Sequence, residues 1–259
     1  MGTIIAISNQ KGGVSKTTTA YNLGASLSLK HGKKVLLVDI DPQANLSEYL
    51  GYEPDQFPTM TQLVMTACMG NPITAEIVQT AIRHCEAADV DYIPADINLA
   101  NSENLMSTAL SRETILRRIL SDDVTYSYDF ILIDCLPSLS GLLINALTAA
   151  DRLLIPVQTQ KFSMDGLQAL EALCQQIKAT INPKVNLLGV LPTMTDRTKV
   201  SRASVEALAE KYGEMLFETS ISKSVEAAKS SESGIPLCVT DSKLGMEYEK
   251  LAMEVLSRC

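Results

Sequence analysis

The stretch Gln10-Lys11-Gly12-Gly13-Val14-Ser15-Lys16-Thr17-Thr18 follows the first apolar run of the chain and opens a helical pattern. A glycine-rich loop in that position turns backbone N–H groups and a helix N-terminus toward one point, which suits a polyphosphate. Lys16 would reach the β and γ phosphates, and the Thr17 hydroxyl would coordinate Mg²⁺. The strict pattern G-x-x-x-x-G-K-[ST] fails twice, because Gln10 and Ser15 stand where it requires glycine. A strand-to-helix turn without a ligand is the alternative. The predicted phosphate-binding residues are Gly12, Gly13, Val14, Ser15, Lys16, Thr17 and Thr18.

Hydrophobic periodicity places this loop in an α/β fold. Short apolar runs rich in Val, Ile and Leu alternate with longer amphipathic stretches, as expected for βαβ units around a sheet covered on both faces. We therefore predict a single domain, residues 1–259, with a mainly parallel twisted β-sheet flanked by helices on both faces. The least regular segment, 51–101, is predicted to form helices that cover one edge of the sheet. Strands are predicted at 3–8, 35–40, 91–95, 130–134, 153–157 and 186–191, and helices at 16–30, 138–149, 163–180, 201–212 and 244–258.

Composition excludes several classes of protein. The chain has 259 residues, 46% of them hydrophobic and 20% charged, so it can bury a sizeable core and is not a disordered tail protein. A net charge of -8 means that any nucleic-acid binding must come from a local patch. Trp is absent and Phe and Tyr are few, which argues against an aromatic base-stacking or sugar-binding surface.

The cysteine pattern and the apolar runs point to a cytoplasmic protein. Six cysteines occur without a C-x-x-C pair or a Cys/His cluster, so zinc spacing is missing and reduced thiols are expected. The chain starts without the pattern of a signal peptide, and no apolar run reaches the about 20 residues that a membrane span needs. We predict a soluble, cytoplasmic protein that does not enter a membrane.

Carboxylates end two of the predicted strands. Asp39 and Asp41 are two residues apart at the end of the second strand, so their side chains point to the same side. Doubly wound folds bind ligands at this end of the sheet. Asp134 ends the apolar run Phe130-Ile131-Leu132-Ile133-Asp134, a position from which it would hold Mg²⁺ through a water molecule. The predicted metal-binding residues are Thr17, Asp39 and Asp134. For Asp41-Pro42, a simple strand end and turn is the alternative.

Lys11, five residues before Lys16, gives the loop the form K-G-G-x-x-K-T-T. This resembles the deviant Walker A box, K-G-G-x-G-K-[ST], of the ParA/MinD class of P-loop ATPases. The chain is similar to ParA/Soj-type partition ATPases over nearly its full length. Since the loop starts at residue 11, it resembles the short form without an N-terminal DNA-binding domain. The segments that carry the similarity are 9–13, 38–43, the Asp134 strand, 144–151 and 156–158.

The resemblance implies a slow, Mg²⁺-dependent ATPase switch for DNA segregation. Its cofactors would be ATP and Mg²⁺, and ATP binding would close a homodimer in which Lys11 reaches the partner's nucleotide. Lys16 would act on the phosphates in its own subunit, and Asp41 would position or activate the attacking water. A ParB-type centromere-binding protein would stimulate hydrolysis. Met194, in Leu191-Pro192-Thr193-Met194, resembles the place where family members contact the adenine; a Met at the edge of the core is the alternative.

Nonspecific DNA binding, and with it association with the nucleoid, is a further implication of the resemblance. Residues 195–230 carry equal numbers of basic and acidic side chains, so this segment is neutral while the rest of the chain is acidic. Glu226 stands where family members often have an arginine. The candidate DNA-binding residues are Arg197, Lys199, Arg202 and Lys223. A solvated surface of mixed charge is the alternative.

Three other functions share some of these motifs. A MinD-like membrane-cycling ATPase would need a basic amphipathic C-terminal helix, whereas residues 244–259 carry a net negative charge. An iron-sulfur ATPase would need cysteine ligands, for which Cys85 and Cys135 are the candidates. A metabolic P-loop ligase would have no use for Lys11 and the D-I-D-P-Q run, and ranks last.

Overall fold

The computed structural model describes residues 2–160 and 164–259 and contains one seven-stranded sheet. Helical turns of the 3-10 type occur at Arg112–Thr114, Gly213–Met215 and Leu237–Val239. The strands are β1 (Thr3–Ile7), β2 (Val35–Asp39), β3 (Arg83–Cys85), β4 (Val90–Ile93), β5 (Phe130–Asp134), β6 (Arg152–Gln158) and β7 (Asn186–Thr193). The helices are α1 (Lys16–His31), α2 (Asn45–Tyr49), α3 (Met60–Cys68), α4 (Ala75–Thr80), α5 (Leu99–Met106), α6 (Ile115–Ile119), α7 (Asp122–Thr125), α8 (Gly141–Ala149), α9 (Met164–Thr180), α10 (Lys199–Tyr212), α11 (Glu226–Ser233) and α12 (Lys243–Arg258).

The strand order is β3-β4-β2-β5-β1-β6-β7, and all neighbours are parallel except β3 and β4. The central strands β2 and β5 are buried along their whole length, which explains their unbroken apolar sequences. The register sets Asp39 opposite Asp134, and Ile7 opposite Asp134 on the other side. Three strands therefore end beside the loop that leads into α1.

Alternation along each strand divides the core into two layers. In β1, Ile4 and Ala6 face the layer made with α3, α5, α8 and α9, whereas Ile5 and Ile7 face the layer made with α1, α2 and α12. The predicted α/β fold class, a mainly parallel sheet flanked by helices on both faces, is confirmed. Each of the predicted strands and helices has a counterpart, although the start predicted for one helix at Ser163 lies outside the described residues.

The prediction for residues 51–101 was incomplete. Helices α3 and α4 do form there, but the edge of the sheet is made by β3, which pairs antiparallel with β4 through Arg83–Tyr92, His84–Asp91 and Cys85–Val90. This strand is three residues long and two of them are polar or charged, so it has no apolar run that could reveal it.

The C-terminal helix α12 is a packed element of the core. Leu244, Tyr248, Leu251 and Val255 are buried, and the helix contacts α1 and the turn at Leu237–Val239. Its apolar face is therefore covered by the protein itself. Among residues 2–160 and 164–259, none of the helices combines the length and the hydrophobicity needed to cross a bilayer.

The edge pair of β3 and β4 leads to a prediction about pH. The Nδ1 of His84 lies 2.8 Å from Asp91 Oδ1, and this hydrogen bond raises the pKa of His84 above its usual range. Stability from the pair is therefore present below the unfolded pKa of about 6.5 and is lost as the pH rises through the higher folded value. We expect the free energy of unfolding of wild type to exceed that of His84→Gln by about 0.5 kcal/mol near pH 5.5 and by less near pH 8.5. The difference is small even at the lower pH because the pair is partly exposed. Urea denaturation at both pH values, with His31→Gln as the control for loss of an imidazole, checks this; a difference that grows with pH contradicts it.

Candidate active site

The phosphate loop joins β1 to α1 and is held by hydrogen bonds to the ends of two strands. Asn9 Nδ2 donates to the carbonyl of Pro156 at 2.7 Å, while Asn9 Oδ1 accepts from the Lys11 N–H at 3.0 Å. The Thr193 hydroxyl donates to the carbonyl of Val14 at 3.0 Å. Gly13, at a φ of 71°, and Ser15, at 70°, both adopt left-handed backbone conformations. The ends of β6 and β7 therefore hold the loop in shape.

Lys16 lies at the centre of this loop. It is the first residue of α1, is only 7% exposed, and its Nζ donates to the Lys11 carbonyl at 3.2 Å. Burial lowers the pKa of Lys16, and the nearby Asp134 opposes that shift. A buried ammonium with one neutral acceptor and a carboxylate nearby is suited to bind a phosphate, which would supply the negative charge that the loop itself lacks.

Thr17 and Asp134 meet beside Lys16. The Thr17 hydroxyl donates to Asp134 Oδ2 at 2.7 Å, whereas Asp134 Oδ1 is buried and accepts no hydrogen bond. Burial raises the pKa of Asp134 well above its usual range, and the neighbouring Asp39 adds to this effect. An orphaned buried carboxylate oxygen beside a threonine hydroxyl fits the hard oxygen ligands that Mg²⁺ and its waters prefer. The residues present therefore fit a magnesium ion.

Asp39, which was predicted to bind the metal, accepts hydrogen bonds at both carboxylate oxygens. Its Oδ1 accepts from the Asp41 N–H at 3.0 Å, and its Oδ2 accepts from the N–H and the hydroxyl of Ser47 at 2.9 and 2.7 Å. Burial raises the pKa of Asp39 to about 6. Both oxygens are thus engaged in holding the turn between β2 and α2. This geometry favours Asp39 as a support for that turn over Asp39 as a direct metal ligand.

The phosphate loop opens into a cleft of about 500 Å³. Asp41 and Met194 both line it, as does Pro137 of the loop after β5. Asp41 Oδ1 accepts from the Gln43 N–H at 3.0 Å, which leaves the rest of its carboxylate facing the cleft. Sequence reasoning missed the opposite wall, because it comes from two short helices, α2 and α11, that give no clear periodic signal. The missed lining residues are Asn45, Glu48, Tyr49, Ser231 and Glu232.

The four candidate DNA-binding residues lie in one region. Lys199 begins α10, Arg197 and Arg202 flank it in sequence, and all of them are exposed. Lys223 is brought to the same place because its N–H donates to the Thr195 carbonyl at 3.0 Å. Sequence reasoning missed the exposed Lys243, whose Nζ lies 2.8 Å from the hydroxyl of Ser222. These exposed cations lie near acidic side chains as well: Lys223 interacts with Asp196, and Lys243 Nζ lies 3.1 Å from Glu247 Oε1.

Comparison with known proteins identifies the family. Residues 2–187 match a family model described as an AAA domain. Sporulation initiation inhibitor protein Soj of Bacillus subtilis is 39% identical over 98% of this chain and 98% of its own length. Chromosome-partitioning ATPase Soj of Treponema pallidum is 36% identical over 100% of this chain and 98% of its own. The chain belongs to the Soj/ParA family of partition ATPases. The predicted family is thus confirmed.

A solved structure adds a bound nucleotide to the comparison. Cobyrinic acid a,c-diamide synthase of Mycobacterium smegmatis, with ADP and magnesium bound, has a TM-score of 0.82 and 31% identity, and the match covers 99% of this chain and 94% of that one. Its fold therefore matches that of this Soj/ParA protein throughout.

Cys85 and Cys135, the two candidate cluster ligands, lie apart in this Soj/ParA protein. Cys85 and Cys135 are both buried and belong to the two different core layers, on opposite faces of the sheet. Throughout the described residues, His, Cys, Asp and Glu side chains do not gather in groups of three or more that could hold a metal ion. The geometry thus gives no support to an iron-sulfur cluster held by these two cysteines.

Ser15 stands where the strict phosphate-loop pattern requires glycine, and its left-handed backbone leads to a prediction. A side chain costs free energy in that conformation, and glycine does not. We expect Ser15→Gly to raise the free energy of unfolding by about 0.5 to 1 kcal/mol in urea denaturation. Ser107→Gly, at an ordinary φ of -59°, is the matched control and should give no gain. Equal effects of the two substitutions would contradict backbone strain at Ser15.

Proposed function

We propose that this chain is a Mg²⁺-dependent ATPase that closes into a homodimer with ATP and acts as a timed switch in the segregation of a chromosome, plasmid or mobile element. One observation carries the partition role: the chain matches Soj proteins at 36 to 39% identity from end to end. The relatives named for partitioning thus share the whole architecture with this chain. Such a role places the protein in the cytoplasm, and on the nucleoid when it binds DNA.

ATP would bind along the loop from Gly12 to Thr18 and extend into the cleft. Backbone N–H groups at the start of α1 and the Lys16 ammonium would hold the phosphates, and Met194 would lie against the adenine. Mg²⁺ would be held by the Thr17 hydroxyl and, through water, by Asp134, while Asp39 keeps the neighbouring turn in place. The bound ion supplies positive charge that offsets the charge developing on the phosphates.

Hydrolysis depends on three side chains with separate tasks. Asp41 faces the cleft and would orient the attacking water and accept its proton. Lys16 would stabilise the charge on the phosphates within its own subunit. Lys11 would cross from the partner subunit and add a second positive charge, so that catalysis requires the closed dimer. Loss of the terminal phosphate removes these contacts and would reopen the dimer.

The basic surface made by Arg197, Lys199, Arg202 and Lys223 would bind the DNA backbone without sequence preference. Two subunits would combine their patches in the closed dimer, which raises the local charge enough to overcome the acidic average of the protein. A ParB-type centromere-binding protein would then stimulate hydrolysis and release the dimer.

The test is binding to a random-sequence DNA duplex at low and moderate salt, with ATP, with ADP and without nucleotide, while light scattering reports the mass. We expect salt-sensitive binding only with ATP, together with a dimer, and its loss when EDTA removes Mg²⁺. Arg202→Glu should abolish DNA binding but leave the dimer intact, and Lys250→Glu on α12 is the matched control. DNA binding that is equal with ATP and ADP would contradict the switch.

A MinD-like role at a membrane is the second candidate. The acidic C-terminal segment and the buried apolar face of α12 argue against membrane capture by that helix. An ATP-dependent dimer that does not bind DNA but binds anionic vesicles would favour this candidate over partitioning.

A further inference from the structure

Gln158 holds the side chain of Lys11 against its own subunit. Lys11 Nζ donates a hydrogen bond to Gln158 Oε1 at 3.2 Å, and the two residues are 147 positions apart in the chain. Both side chains are half-buried, and the contact borders a small cavity of about 200 Å³ between the phosphate loop, the end of β6 and the start of α9. The ammonium group is therefore placed beside the carboxyl end of β6 in its own subunit.

The surroundings make this contact a defined one. Gln158 is the last residue of β6, where it pairs in register with Thr193 of β7. On the other side, Asn9 links the Lys11 backbone to the carbonyl of Pro156 two residues earlier in the same strand. Donor and acceptor are thus both carried by backbone segments that are hydrogen-bonded to each other, so little freedom is lost when the contact forms.

We propose that Gln158 is a positioning residue for Lys11, which it retains in its own subunit until the dimer closes. The inference rests on the proposed function, in which Lys11 acts on the partner's nucleotide. The ammonium must leave the Gln158 oxygen to reach the partner's phosphates, so the two acceptors compete for it. Because a symmetric dimer makes this exchange twice, a change at Gln158 counts twice in the dimerisation equilibrium.

Two substitutions at this position should have opposite effects. Gln158→Met keeps the length of the side chain and removes the acceptor, so we expect the dissociation constant of the dimer formed with a non-hydrolysable ATP analogue to fall about 3- to 10-fold. Gln158→Glu replaces the neutral acceptor by a carboxylate, which binds the ammonium more strongly, and should raise that constant about 10-fold. ATP binding by the monomer should be unchanged in both variants.

A second measurement reports the contact without dimerisation. The rate at which an amine-reactive acetylating reagent modifies Lys11, followed by peptide mass spectrometry on the nucleotide-free monomer, should rise in Gln158→Met and fall in Gln158→Glu. A purely structural role for Gln158 would not change this rate in opposite directions. Gln175→Met and Gln175→Glu, on the exposed surface of α9, are matched controls for both measurements and should leave both unchanged.

The outcomes separate this proposal from the one on which it rests. A wild-type protein that stays monomeric with ATP would overturn the proposed function and the competition together. If wild type dimerises with ATP, two results would overturn the role of Gln158 alone. One is equal dimerisation of wild type and the Gln158 variants, and the other is weaker dimerisation of Gln158→Met. Unaltered labelling of Lys11 in both variants would also overturn it.

Discussion

Asp41→Asn is expected to lower the rate of ATP hydrolysis at least about 100-fold while ATP binding persists, so that the ATP-bound dimer accumulates. The carboxylate of Asp41 lines the cleft beside the phosphate loop, and its Oδ1 accepts from the Gln43 N–H in a local turn. An asparagine keeps the oxygen that the turn needs but cannot accept a proton from water. The measurements are phosphate release and mass by light scattering, both with ATP.

Comparison of two substitutions at this position separates chemistry from folding of the turn. Asp41→Ala removes both the turn contact and the carboxylate, so it should be as slow as Asp41→Asn if the carboxylate alone matters. Asp241→Asn, on the exposed surface, is the matched control and should hydrolyse ATP normally. Normal hydrolysis by Asp41→Asn would remove Asp41 from its catalytic role.

Lys16→Ala is expected to weaken ATP binding by a factor of about 100 or more. The Lys16 ammonium is buried within the loop, where charge-assisted hydrogen bonds to phosphate are strong because water is largely excluded. Its loss would also leave the buried Asp134 without its nearby positive charge, which adds repulsion toward the phosphates. Isothermal titration calorimetry with ATP and Mg²⁺ measures the change.

The fold of the variant must be intact for that result to be informative. Equal urea midpoints for wild type and Lys16→Ala would show this. Lys250→Ala, on the exposed surface of α12, is the matched control. ATP affinity within threefold of wild type would contradict the placement of the phosphates at Lys16.

Much of the fold could be predicted because its signals are local. The buried strands β2 and β5 consist of apolar residues up to their final aspartates, and α1 follows a glycine-rich loop. A few consecutive residues are therefore enough to predict each of these elements. The strand β3 could not be predicted, because its polar residues are stabilised by tertiary contacts. Arg83 contacts Asp55, which is distant in sequence, and His84 contacts Asp91 on the neighbouring strand β4. Tertiary contacts determine such short edge strands.

The candidate site divides in the same way. Lys16, Thr17 and Asp134 could be predicted from local patterns, because the first two belong to the loop after β1 and the third ends β5. The fold then brings Thr17 into contact with Asp134. The sequence could not distinguish Asp39 from Asp134, since both end buried strands. Their surroundings differ in the structure, where Ser47 donates two hydrogen bonds to Asp39. The wall made by Ser231 and Glu232 depends on the packing of α11 against α2, which has no sequence signal.

An ATP switch that works through a closed dimer is tested by the mass of wild type and of Lys11→Ala in solution with ATP and Mg²⁺. Light scattering should report a dimer for wild type with ATP, a monomer with ADP, and a monomer for Lys11→Ala even at ATP concentrations that saturate it. Dimerisation of Lys11→Ala equal to that of wild type would contradict the account.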